Sequence, residues 1–379
     1  MARAKYKKNS RGEYETKVWD GTYTPDGFKH RIRLVSKKSS ADLERQVNEI
    51  RYRVEHNEYV VESDIYFIDY ARDWLQIRKA SKRTNTQTMY DNIIEKHLAF
   101  LNDVRLCDIR NMHFQMAINN AMAKPRTCQQ IYITFNQIIR RAVADNLITS
   151  HDAELICMDI NLPKYQKKEK RALNEIEKLA FQECMNNGVL TAREKAYLTI
   201  IYYCGLRRCE ALALSRFDFK KEGGGFYLSV SKDLVFVKND PLIENKTKSD
   251  RGLRQVPVPA PAAKYLQQYI TSLPGTNLFY CQNSILITKS SYDKMWMSIL
   301  NKLNTAAGGS KKFPVIDNLT AHIFRHNYCS NLCYKIPAIS IKMIAKLMGD
   351  TEKVVIDVYN HVMEEKEDVQ TVLEDALNM

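Results

Sequence analysis

Four short stretches carry residue types suited to chemistry at a phosphate. CGLRRCEALAL, residues 204–214, ends an apolar run at Gly205 and sets Arg207 where a new helix starts, with Glu210 three residues on. Arginine suits a phosphate because its planar fork meets two oxygens and keeps its proton. Glu210 is placed to hold that guanidinium from behind. AHIFRHN, residues 321–327, sets His322 and Arg325 three apart, so on a helix they share a face. His326 then points elsewhere and reads as structural. Residues 246–251 form a lysine-rich hairpin in which Lys246 or Lys248 is a candidate acid for a leaving oxygen; spacing does not choose between them. LMGDTEKVVIDVYNHV, residues 347–362, ends a helix at Gly349 and presents Tyr359 after a polar turn. Transfer at a phosphate without a metal needs a nucleophile, fixed cations on the non-bridging oxygens and an acid for the leaving group. Together the four stretches supply all three.

The elements that must position them fall into groups. Residues 1–9 read as a flexible basic arm with Arg3, Lys5, Lys7 and Lys8. Tyr14 to Trp19 and Phe28 to Leu34 read as short strands around the turn Pro25-Asp26-Gly27, with a third strand expected through Val35. Ser39 and Asp42 resemble a capping box ahead of Leu43, Val47, Ile50 and Val54 at helical spacing. This sheet-plus-helix unit exposes Lys17, Lys29, Arg31 and Arg33. Residues 63–158 are nearly all helical in pattern. Four helices are expected: one capped by Ser63, one after Thr86, one near 111–122 and one from about Thr127 to Asp145. Residues 159–171 form a linker carrying Lys164, Lys167, Lys168, Lys170 and Arg171. From 172 the pattern is mixed. Asn174 and Glu177 cap a helix, another runs from about 192 to Cys204, and strands lie near 226–238 and 253–258 around a loop at 239–252. Helices return at 260–272, 290–304, 321–333 and 340–348.

The set G-L-R-x-x-E, K-T-K, H-x-x-R and G-x9-Y, in this order, resembles the catalytic signature of the tyrosine recombinase, or phage integrase, family. The likeness is to conjugative-transposon and phage integrases with an N-terminal arm-binding domain. It implies catalytic roles for Arg207, Lys246, His322, Arg325 and the nucleophile Tyr359, supported by Glu210. One position departs. The family usually has His or Trp, donating a hydrogen bond to the phosphate, where this chain has Asp350; an ionised carboxylate accepts only. The resemblance also implies the architecture: a multidomain, mainly α protein with small β-sheets. Residues 1–60 would form an arm-type DNA-binding domain, 63–158 a four-helix, SAM-like core-binding domain, and 172–379 a mixed α+β catalytic domain.

The resemblance carries expectations about function as well. A 3′-phosphotyrosine intermediate would conserve the phosphodiester energy, so strand exchange would need no metal, nucleotide or other cofactor. The partners implied are double-stranded DNA at core-type and arm-type sites, further copies of the chain in a tetrameric synapse, and an excisionase or DNA-bending accessory protein. The tail carries Val362, Val369, Val372, Leu373, Ala376 and Leu377 on an acidic helix; the family docks such a helix on a neighbouring protomer, whereas spacing alone fits packing on its own domain equally.

Composition agrees with a polyanionic partner. The chain has 379 residues, 57 Lys and Arg against 44 Asp and Glu, and a net charge of +13. The charge is uneven: residues 1–38 hold eleven basic residues against four acidic ones, and residues 363–379 hold one against six. Lys5, Lys7, Lys17, Lys29, Arg31, Arg33, Lys164, Lys167 and Lys168 are the candidate DNA-binding residues outside the site. Nine scattered cysteines without a C-x-x-C fit neither a zinc site nor a disulfide framework and suit a reducing cytosol. No apolar run reaches the length of a membrane span, so a cytoplasmic protein is expected. Two other readings stay open: type IB topoisomerase chemistry, which the arm-like N-terminus disfavours, and a DNA-binding regulator with a decayed site, which Asp350 favours.

Overall fold

The computed structural model describes residues 4–24, 26–55, 63–166, 171–245, 252–282 and 286–364. It divides into two compact units, 1–167 and 168–379.

The first unit opens with strands β1 (Tyr14–Tyr23) and β2 (Lys29–Ser36) and helix α1 (Ser40–Glu55). The strands pair antiparallel with Lys17 opposite Arg33 and Trp19 opposite Arg31. Because side chains alternate across a strand, Val18 and Asp20 turn to the buried face with Leu43 and Val47 of α1, while Lys17, Arg31 and Arg33 stay exposed. Ser39 does cap α1, its hydroxyl accepting from the Asp42 amide at 3.0 Å. Two expectations change. Val35 lies within β2 rather than in a third strand. Residues 4–9 are not a loose arm: Lys5 pairs with Glu44 at 2.7 Å, the Tyr6 amide donates to Ser40 Oγ, and Lys8 bridges Tyr14. Part of the positive charge at this end is thus neutralised within the protein itself.

The helices expected between 63 and 158 are α2 (Phe67–Arg78), α3 (Thr84–Asn92), α4 (Asn111–Asn119) and α5 (Pro125–Ala144); a fifth, α6 (Ser150–Cys157), comes after them. α2 starts at Phe67, and Ser63 instead accepts from the Ile65 amide in a local turn. α5 has Pro125 at its first turn, where no amide partner is lost. Its stripe of Ile131, Phe135, Ile138, Ile139 and Ala142 is buried, and Phe135 stacks on both Phe114 and Phe67. The division between 1–60 and 63–158 falls at residues 56–62, outside the described residues.

The second unit begins with α7 (Glu175–Asn186), capped by Asn174 and Glu177, and α8 (Ala192–Tyr203). Arg171 of the linker makes a two-pronged ion pair with the buried Glu177, so this linker charge is held by the protein. Next come α9 (Arg208–Leu212), β3 (Phe219–Glu222), β4 (Gly225–Val230), β5 (Lys232–Val237), β6 (Asp240–Asn245) and β7 (Arg254–Val258). Strand order β3-β4-β7 makes one antiparallel sheet, and β5-β6 a separate hairpin. The stretch expected as one strand over 226–238 is therefore two, and residues 240–245, expected as loop, form β6. A two-residue turn with Lys238 in the left-handed region joins β5 to β6 and hid the hairpin from pattern reading. Helices α10 (Ala260–Thr271), α11 (Lys289–Ala306), α12 (Ala321–Cys333), α13 (Ile341–Met348) and α14 (Glu352–Glu364) complete the unit. A large core built on α7, α8, α10 and α11 holds the start of α12. A smaller one, with Cys329, Cys333, Ile344, Met348, Val355 and Val358, joins α12 to α13 and α14.

Candidate active site

The turn between α8 and α9 places the first arginine. Gly205 has φ +61°, and a Cβ there would sit 2.3 Å from the Tyr328 ring, so no other residue fits without a shift. Arg207 lies two residues on, in extended conformation just ahead of α9, with φ −67° and ψ 152°. Glu210, one turn on, accepts from the Arg207 amide at 2.8 Å and from Arg207 Nη1 at 3.1 Å. The Glu210 carboxylate is buried and serves a second arginine as well. Arg254 Nη1 and Nη2 donate to its two oxygens at 3.0 and 2.8 Å, and Arg254 Nε donates to the Leu347 carbonyl at 2.7 Å. The acid between Arg207 and Arg254 thus fixes the former and neutralises the latter, which the fold buries almost completely.

Arg325 comes from α12 and its side chain is 1% exposed. Nη1 donates to the Gly205 carbonyl at 2.8 Å, and Nη2 to the Met348 carbonyl at 2.5 Å and to Asp350 Oδ2 at 2.8 Å. Arg207 Nη2 reaches the same Asp350 oxygen at 2.7 Å and the Gly349 carbonyl at 3.1 Å. Two guanidiniums from segments more than a hundred residues apart therefore converge on one anionic oxygen. Burial, helped by the neighbouring Arg207, pulls the Arg325 pKa down to about 10, which still leaves it charged at neutral pH. Burial works against ionised Asp350, yet Arg207 and Arg325 prevail and hold its carboxyl below the usual range.

The turn carrying Asp350 is set by backbone chemistry. Gly349 lies in the left-handed region at the end of α13, its amide bonded to the Lys346 carbonyl and the Asp350 amide to the Ala345 carbonyl. That is a Schellman arrangement, and it aims the carbonyls of residues 347–349 at the three arginines.

His322 and Tyr359 come from α12 and α14. His322 is exposed on the first turn of α12, its ring edge-on to that of the buried His326, with centroids 4.5 Å apart. Tyr359 is on α14, partly buried against the small core of α12, α13 and α14. Among the described residues its hydroxyl makes no hydrogen bond, so the arginines and the phenol are not joined in this state. Lys246 and Lys248 lie outside the described residues, as do Lys167, Lys168 and the tail from 365. The structure thus brings together Arg207, Glu210, Arg325 and Asp350, and adds Arg254, which the sequence reading missed. A signal for Arg254 existed. In RQVPV, it alternates with Val256 and Val258 toward the interior, and an inward arginine on a strand demands an acid.

Residues 171–366 match the model of the phage integrase family, which is more than half of the chain. The chain belongs to that family. It is a tyrosine-type site-specific DNA recombinase. A curated relative, the tyrosine recombinase XerC of Alcanivorax borkumensis, is 24% identical over 243 residues, covering 62% of this chain and 69% of the relative. Among solved structures, the Tn1549 transposon integrase in complex with a circular intermediate DNA matches with a TM-score of 0.62 at 16% identity, over 78% of this chain and 95% of that one. A lambda integrase dimer bound to a core site matches with a TM-score of 0.55 at 14% identity, over 93% and 94%. These likenesses show the fold: a mainly helical, multidomain recombinase with small antiparallel sheets. No helix among the described residues is long and apolar enough to cross a membrane.

Proposed function

We propose that the recombinase integrates and excises a mobile element through a covalent 3′-phosphotyrosine intermediate. The observation that carries the reading is the meeting of Arg207 and Arg325 on one oxygen. Two fixed guanidiniums sharing one anion are suited to the non-bridging oxygens of a scissile phosphate, where charge grows in the transition state. In this scheme Tyr359 Oη attacks the phosphorus, and the strand is released with a 5′-hydroxyl. His322, on the same helix as Arg325, positions or deprotonates the nucleophile, and Lys246 protonates the leaving oxygen. A 5′-hydroxyl from the partner strand then attacks the phosphotyrosine, restoring the phosphodiester and freeing Tyr359.

The substrate in this proposal is double-stranded DNA, held by a homo-oligomer that is tetrameric at synapsis. The DNA-bound integrases that share the fold, one from a transposon and one a dimer, support DNA as the substrate and an oligomer upon it. An excisionase or bending protein would set the direction, and the reaction would take place in the cytoplasm. The exposed face of β1 and β2, with Lys17, Lys29, Arg31 and Arg33, is the candidate arm-site reader, joined by Lys7; Lys164, in the linker beside the helical domain, is a separate candidate phosphate contact. A suicide duplex built from the repeats flanking the gene tests the scheme. The wild type traps a covalent protein–DNA adduct, and Tyr359→Phe binds the duplex equally but forms none. An adduct that survives Tyr359→Phe removes the nucleophile assignment, and binding by the wild type without any adduct favours the decayed-site regulator.

A further inference from the structure

We infer that Asp350 occupies the place of the scissile phosphate in the DNA-free enzyme, and that DNA must expel its carboxylate to engage the arginines. The inference rests on the reading that Arg207 and Arg325 hold that phosphate. A single oxygen, Asp350 Oδ2, accepts from Nη2 of both arginines, at 2.7 and 2.8 Å. That is the contact pattern a non-bridging phosphate oxygen would take. The carboxylate is not a stray surface group. The Schellman turn at Gly349 fixes its backbone, and the carbonyls of Met348 and Gly349 dock on the same two guanidiniums.

The site is also built to survive the departure of Asp350. Arg207 remains tied to Glu210 through Nη1, and Arg325 to the Gly205 and Met348 carbonyls. Withdrawal of Asp350 therefore leaves both guanidiniums fixed, each with the Nη2 donor that held Asp350 released for an incoming anion. The exit is open on the side of water: the Asp350 and Arg207 side chains are 24% and 35% exposed, whereas that of Arg325 is 1% exposed. An ionised carboxylate has only acceptors, so it cannot share the position with a phosphate and repels it at contact distance. Asp350 is thus an autoinhibitory contact. It keeps the arginines neutralised and ordered when no DNA is present and raises the threshold for engaging any phosphate.

Orthovanadate, a phosphate-shaped oxyanion, tests this without knowledge of the DNA site. Its binding to the full-length chain is measured by calorimetry at low salt for the wild type, Asp350→Asn and Asp350→Ala. Asparagine keeps the shape and adds an amide donor; alanine removes the carboxylate and adds no donor, so the pair separates loss of a competitor from gain of a donor. Thermal unfolding checks that each variant is folded. Both variants are expected to bind vanadate on the order of tenfold more tightly than the wild type, and adding Arg207→Lys to either abolishes the gain. Equal or weaker binding by both variants, with Arg207 still required, overturns the role of Asp350 and leaves the phosphate reading standing. Vanadate binding that ignores Arg207→Lys, or no binding by any form, sinks the phosphate reading and the inference with it.

Discussion

The recombinase carries positive charge in two contrasting settings. On the β1–β2 face, Lys17, Arg31 and Arg33 are exposed; Lys29 lies 4.4 Å from the Trp19 ring centroid, and Arg33 pairs with Glu15. These charges sit in high dielectric and are screened by salt. In the arginine cluster, Arg254 and Arg325 are almost wholly buried, and each guanidinium is held by two or more bonds. There the surrounding acids and carbonyls, not water, balance the charge. Each setting suits a different task. Solvated surface cations raise affinity for any DNA backbone, whereas cations fixed in advance favour one geometry at one phosphate.

Breaking the buried setting has the largest expected effect. Glu210→Ala strips Arg254 and Arg207 of their shared acid and leaves a buried guanidinium uncompensated, at a cost of about 3–5 kcal/mol. Urea unfolding measures it, and a loss below about 1 kcal/mol would mean that water replaces the carboxylate. Arg207→Lys comes next. It keeps the charge but loses the fork, so adduct formation on the suicide duplex is expected to fall by about 100- to 1,000-fold. DNA binding, read by gel shift, changes far less; equal losses in both assays would erase the distinction between clamping and mere attraction. The smallest effect belongs to the sheet face. Arg31→Ala is expected to leave stability within about 0.5 kcal/mol and to lower the salt dependence of DNA binding by about one unit of slope. A change in cleavage chemistry without a change in salt slope would place Arg31 in the wrong class.

Much of the site was legible because its residues sit beside local signals. Gly205 ends a helix, Glu210 lies one turn after Arg207, and His322 and Arg325 share a helical face; each is a relation within a few residues. Arg254 was not legible in that way. Its partner Glu210 is 44 residues away, and only the pairing of β7 with β4 brings it inward. Nor did position show that Lys5, a candidate DNA contact, pairs with Glu44, or that Arg171 of the linker pairs with the buried Glu177. The β5–β6 hairpin escaped because its turn depends on a left-handed Lys238 rather than on glycine. Lys246, the tail stripe and the boundary near residue 60 fall outside the described residues and stand as proposals.

Short-range chemistry in the chain settles the helices, their caps and the order of the reactive stretches, since each depends on contacts a few residues apart. Which charges neutralise one another is a matter of the folded chain alone. Folding joined Arg207, Arg325 and Asp350 across more than a hundred residues, and it left Tyr359 on a neighbouring helix. A buried charge is stable only beside its partner, and the fold, not sequence spacing, sets how near that partner lies.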